Sequence, residues 1–344
     1  IVFLIIYLST IGIETTKFNN LVINEIKKKD PNIKISLDKI KLKLDVKKVQ
    51  IYISTVEPQI IYQNIKIPIK KINLYTKITS ILKSKNEINQ AIISLENFYI
   101  KDIQKLAVRT KPSNFKKYLL NNLSNGEIEK ILIDVKLDKD LKIYDYKVNG
   151  SVKKINIKVI NNLLIQDVSL NFISDKNLTL VNSLNAKHLG VSISNGSINL
   201  KRDKQIDIEG KFNTRFNLNE KAINKLFSRL NIKFIENKKI IAKGSLLHNF
   251  SLKIDKNFKL IDYDYKSKGD ISESQIILKN IFRSNFIEKS IKKISISKTN
   301  LEINLNKKSN NLLTLDGLYN LGGTENKKFK ISHDLNKKKT KIFN

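Results

Sequence analysis

The chain has 344 residues, 64 Lys and Arg against 32 Asp and Glu, a formal net charge of +32, and no Cys, Met or Trp. Without Cys there is no disulfide framework and no thiolate metal site, and the length suits two ordinary domains or one extended repeat. The lysines are evenly spread and greatly outnumber the arginines that read phosphates and bases bidentately, so the charge points to lysine-covered strand faces, not to a specific nucleic-acid partner.

Residues 1–13, IVFLIIYLSTIGI, are an unbroken apolar run. As a helix they span about 20 Å, short of the ~30 Å bilayer core. Because the chain opens at Ile1 without Met, the expectation is a piece of a longer protein whose missing residues complete a membrane span. An uncleaved anchor and the core of a secretory signal both fit; no small-x-small cleavage site follows, which favours the anchor. Residues 14–32 are expected to form an amphipathic helix, with Phe18, Leu21, Val22 and Ile26 on one face.

From residue 33 the period becomes two. Ile35 and Leu37 share one parity, Ile40, Leu42 and Leu44 the other, and Ile51 and Ile53 the first again. Each flip requires a bulge or a turn, because a one-residue shift moves side chains to the opposite face. The alternation returns at Ile131, Ile133, Val135 and Leu137, at Ile155 and Ile157, and at Leu170 and Phe172. It returns again at Ile198 and Leu200, and at Phe250, Leu252 and Ile254. Gly126, Gly150, Gly190, Gly196, Gly210, Gly244, Gly269 and Gly317 are read as marking turns or bulges where strands begin. Tyr144, Asp145, Tyr146, Lys147 and Gly150 recur as Tyr263, Asp264, Tyr265, Lys266 and Gly269, an internal echo. Short helices are expected at 79–85, 113–125, 218–230 and 284–294, the last two capped by Asn217 and Ser284.

The three His residues, 188, 248 and 333, stand at no metal-ligand spacing. There is no phosphate-cradling glycine loop, no nucleophile elbow and no paired carboxylate. The expectation is a protein that is not an enzyme and carries no cofactor.

An apolar anchor, a strand pair, and then strand, strand, short helix, strand over "VEPQIIYQNIKIPIKKINLYTKITSILKSKNEINQAIISLENFYI" resemble the N-terminal part of the AsmA-like proteins of Gram-negative bacteria, of the YhdP and TamB types. The likeness extends to the chorein-type bridge proteins of eukaryotes. The resemblance implies a mainly β fold, a long curved antiparallel sheet with a continuous hydrophobic groove over 33–344. It also implies an inner-membrane anchor, a periplasmic body, phospholipids as cargo and outer-membrane components as further partners. The alternating residues named above are then the candidate groove lining. The alternative is an exported β-rich scaffold or outer-membrane assembly factor without lipid transport.

Overall fold

The computed structural model describes residues 2–16, 19–20, 23–24, 27, 31–55, 57–77, 88–109, 112, 114–158, 163–229, 238–255, 259–284, 287–309, 311–322 and 324–343. About 70% of the chain is strand, and one antiparallel sheet holds 18 strands. Two compact units divide it: residues 1–156 with 171–178, and 157–170 with 179–344.

The first unit opens with α1 (Val2–Thr10) and β1 (Ile13–Thr15), which pairs with β3 (Ile40–Asp45). Nine helical residues reach about 14 Å, and among the described residues no helix is long and apolar enough to cross a membrane. Glu14 and Thr15 are therefore strand, not the start of the expected helix. Asn19, Asn20, Ile23, Asn24 and Lys27 are helical; the expected apolar face, Phe18, Leu21, Val22 and Ile26, lies outside the described residues, as does the helix expected at 79–85.

From β3 the sheet continues through β4 (Gln50–Thr55), β7 (Ile69–Lys77), β8 (Ile88–Tyr99), β10 (Glu127–Leu137) and β11 (Ile143–Lys158), each antiparallel to the last. The β3–β4 turn supplies the parity flip that the sequence demands, setting Leu42 opposite Ile53 and Leu44 opposite Ile51. Three short strands, β2 (Ile33–Ser36), β5 (Gln59–Tyr62) and β6 (Ile65–Ile67), form a separate small sheet. Its Ile35 and Ile60 pack with Leu37, Ile40 and Ile72 into the buried cluster of this unit. Here the oily face of the large sheet meets protein. Ile40 is 0% exposed, which corrects its placement as a groove-lining residue, and Ile53 packs against the same cluster. Beyond β8 come α2 (Ile100–Val108), α3 (Asn114–Asn122) and the two-residue β9 (Leu123–Ser124). The helix expected at 113–125 is α3; α2 was not expected, although Ile100, Ile103 and Ala107 carry its spacing.

The second unit contains most of β12 (Leu164–Asp175) and β13 (Leu178–His188), then β14 (Val191–Arg202), β15 (Ile206–Leu218), α4 (Glu220–Arg229), β16 (Lys238–Ile254), β17 (Leu260–Ser284), β18 (Ile287–Asn306), β19 (Leu312–Leu321), β20 (Lys327–Asp334) and β21 (Lys339–Phe343). From β14 onward each strand pairs with the next. The expected helix over 284–294 is not there: Ile287 to Ile294 belong to β18, where Ile294 pairs with Ile276. Its spacing suits a helix, but the long β17 beside it offers a ladder, and pairing overrides local pattern. The cap of α4 is Asn219 and not Asn217: Asn219 Oδ1 accepts the Ala222 N–H at 3.0 Å, while Asn217 pairs within β15. Asn219→Ala should cost about 1 kcal/mol, read as a lower urea midpoint in an equilibrium unfolding curve.

Bulges re-phase the longest strands. The β14–β15 register shifts between Ser194 and Ser197, around Asn195 at φ 53°, so that Ile193 and then Ile198 reach the same face. Another shift between Ser297 and Asn300, around Lys298 at φ 48°, does this for Ile296 and Leu301. The glycines follow the expectation in part: Gly196 and Gly244 fall at register shifts of the ladder. Gly126 and Gly190, at φ 76° and 84°, do sit at turns. Gly150, Gly210, Gly244 and Gly269 lie inside strands, and a neighbour's ring or backbone occupies the space of the missing Cβ: Phe172 over Gly150, Phe250 over Gly210, Phe216 over Gly244.

The internal echo is structural as well. Asp138 N–H donates to Lys142 O at 3.0 Å, and Asp255 N–H donates to Lys259 O at 3.0 Å. In both turns the Asp Oδ1 accepts the Lys N–H at 2.8 Å. The β10–β11 and β16–β17 hairpins therefore close with the same pair of Asp–Lys hydrogen bonds.

Candidate functional site: an open apolar sheet face

Residues directly opposite in an antiparallel ladder point to the same side. The register can therefore be followed across the sheet. In the second unit one such row runs Leu200, Ile208, Leu252, Tyr263. A second runs Ile198, Gly210, Phe250, Tyr265, Leu305. A third runs Ile193, Thr214, Leu246, Gly269, Leu301, Leu315, Ile331, Ile342. Leu200, Leu252 and Ile254 join Ile198 and Phe250 on this face. Their neighbours along each strand, such as Lys201, Glu209, Lys253 and Lys266, point to the other face. In the first unit Ile131, Ile133 and Val135 stand opposite Leu95, Ile93 and Ala91, on the same face as Leu42, Leu44, Ile51 and Ile53. Leu137 follows Val135 along β10. Phe172 covers Gly150, which pairs with Ile131, so it joins that face; Leu170 shares its parity. Ile155 is buried and Ile157 half-buried.

Among the described residues, little covers this face. Apart from Ile40 and the residues beneath the small sheet, the row residues named above are mostly half-buried. The chain exposes 23010 Å². A single globule of 39.7 kDa would expose roughly 14,000 Å², and two globules of half that mass roughly 17,000 Å². Half-exposed strand faces among the described residues account for part of the excess.

The face is not wholly apolar. His248 lies at its centre in the second unit, opposite Phe212 on one side and Ser267 on the other. Its Nε2 is 2.8 Å from Thr214 Oγ1 and its Nδ1 2.7 Å from Tyr265 Oη. The Phe212 ring stacks on the imidazole at 4.5 Å between centroids. His248, Thr214 and Ser267 are all buried. Burial holds the His248 imidazole below its ordinary value and pushes the Tyr265 phenol up, so the first stays neutral and the second keeps its proton. The sign of the pH effect follows. Above the ordinary His value of about 6.5, folded and unfolded chains are both neutral at this residue. As pH falls below it, the unfolded chain takes up a proton that the folded chain resists, so stability falls until the lowered folded value is passed. Urea midpoints should drop between pH 7.5 and 5 in wild type, and less so in His248→Phe.

A cavity of about 720 Å³ is lined by polar residues such as Ser197, Asn199, Glu209 and Lys211, together with Ile198, Gly210 and Phe250 of the apolar rows. Among the described residues no group of three or more His, Asp or Glu could hold a metal ion.

No family model matches the chain, and neither does any curated protein or solved structure.

Proposed function

We propose that this chain is a lipid conduit, in which the apolar sheet face curves into a groove and carries phospholipid acyl chains between the inner and outer membranes. The observation that carries the proposal is an apolar face that few of the described residues cover, continuous in register over eight strands of the second unit. Such a face in water needs an occupant. Each buried acyl CH₂ contributes about 0.8 kcal/mol, so the tails of one lipid are held by on the order of 20 kcal/mol relative to water. Movement along a uniformly apolar lining costs far less than escape. The lysines of the opposite parity keep the outer face wet and attract anionic headgroups at the rims.

On this proposal residues 1–13 belong to an inner-membrane anchor, the body is periplasmic, outer-membrane components receive the cargo, and no residue acts as a catalyst. The AsmA-like resemblance favours the same assignment. Purification in mild detergent followed by lipid mass spectrometry tests it. Diacyl phospholipid should co-purify at one or more molecules per chain; a lipid-free chain that remains folded and monomeric would refute the proposal.

A further inference from the structure

The polar cluster at His248 has one proton too many for its own bonds. The neutral imidazole brings one N–H, and Thr214 and Tyr265 bring one O–H each. The two contacts at 2.8 and 2.7 Å use two of these three protons. If Nε2–H donates to Thr214, then Tyr265 O–H donates to Nδ1 and the Thr214 proton is left over. In the other tautomer the Tyr265 proton is left over. Ser267 sits opposite His248; its buried Oγ lies near the Tyr265 hydroxyl but makes no well-formed hydrogen bond. Accepting the spare proton there only passes the surplus on, because the serine hydroxyl brings another. A buried donor without an acceptor costs about 1–3 kcal/mol, so the cluster needs an acceptor from outside the chain.

The place narrows the chemistry. Phe212 and Phe250 flank the cluster, and Leu246 and Ile303 occupy neighbouring positions on the same face. An occupant that lies there must be largely apolar yet offer an oxygen that accepts without bringing a proton of its own. Ester carbonyls of a diacyl lipid have that character and project from the chain toward a donor; an alkyl chain offers no acceptor, and an ether oxygen, though an acceptor, is flanked by carbon on both sides and reaches the donor less readily.

We infer that Thr214, His248, Tyr265 and Ser267 form a polar station that donates one hydrogen bond to the ester carbonyl of a lipid lying on the apolar face. This inference rests on the proposed lipid-carrying function and adds a selectivity to it: diester over diether lipids. The station also marks one place along the face where a glycerol backbone pauses.

The test is a competition. Purified chain is loaded from equimolar dioleoyl phosphatidylglycerol and its dialkyl ether analogue, and the bound ratio is read by mass spectrometry. A net hydrogen bond predicts about a fivefold preference for the diester. The triple variant Thr214→Val, His248→Leu, Tyr265→Phe removes the donors together, which leaves no orphaned partner except the serine. It should bind both lipids at a ratio near one. Equal binding of the two lipids by wild type would overturn the station and mean that water meets the spare donor. A triple variant that keeps the diester preference would overturn it too. The wild-type ratio is decisive by itself if the variant does not fold. Failure of both lipids to bind wild type would instead refute the lipid-carrying function, and the station with it.

Discussion

Leu252→Asp combined with Ile303→Asp should leave the chain folded and cut its bound phospholipid at least tenfold. Both residues lie on the apolar face of the second unit and are themselves half-buried. An aspartate there can turn toward water when the face is empty, so the cost in stability is small, about 1 kcal/mol each. With lipid present the same carboxylates would be desolvated against acyl chains, which costs several kcal/mol or forces protonation. The lipid, not the fold, should therefore be lost. Ile40→Asp is the contrast. Ile40 is 0% exposed beneath the small sheet, so its carboxylate has no route to water and should destabilise the first unit by several kcal/mol. Circular dichroism melts and lipid mass spectrometry on the three proteins separate the outcomes. Unfolding of the Leu252/Ile303 variant would mean that protein covers the face. A folded variant with undiminished lipid would mean that lipid lies elsewhere. Phe172 is a poorer position for such a charge, since its ring also covers Gly150.

Gly269→Val should lower the unfolding free energy by about 3 kcal/mol or more, although valine is the better strand former. Gly269 lies within β17 between Leu246 and Leu301. A Cβ there would fall on the Ser245 carbonyl oxygen and come within 2.7 Å of Leu246 Cα. Backbone atoms of a paired strand cannot swing aside as a side chain can. Gly150→Ala is milder, about 1 kcal/mol, because the first atoms that its Cβ meets belong to the Phe172 ring. Urea midpoints of the two variants should differ clearly. Equal midpoints would show that β17 yields as easily as a ring does.

These glycines illustrate how much of the fold was legible. Their number and their recurrence before small residues were visible, and a turn was the natural inference. Only pairing revealed that Gly150, Gly210 and Gly244 sit within strands against aromatic rings, because the partner ring comes from a strand up to 40 residues away in sequence, as Phe250 does for Gly210. The helix at 284–294 failed for the same reason: Ile287, Ile291 and Ile294 fit a helical face, but β17 supplied partners. The His248 station carried no local signal. Thr214, His248 and Tyr265 are far apart in the chain, and none stands at a spacing associated with a site.

The sequence by itself determined the strand class, the sidedness of each strand and the places where the parity must flip. Those properties depend on a period of two and on single insertions, which neighbouring residues alone define. Tertiary structure decided what each oily face meets. Coverage of Ile40 by the small sheet, and the open rows from Ile193 to Ile342, depend on which other segment arrives to pack there. Alternation looks identical in a strand that faces protein and in one that faces an empty trough, because the pattern records which side avoids water and not what replaces it.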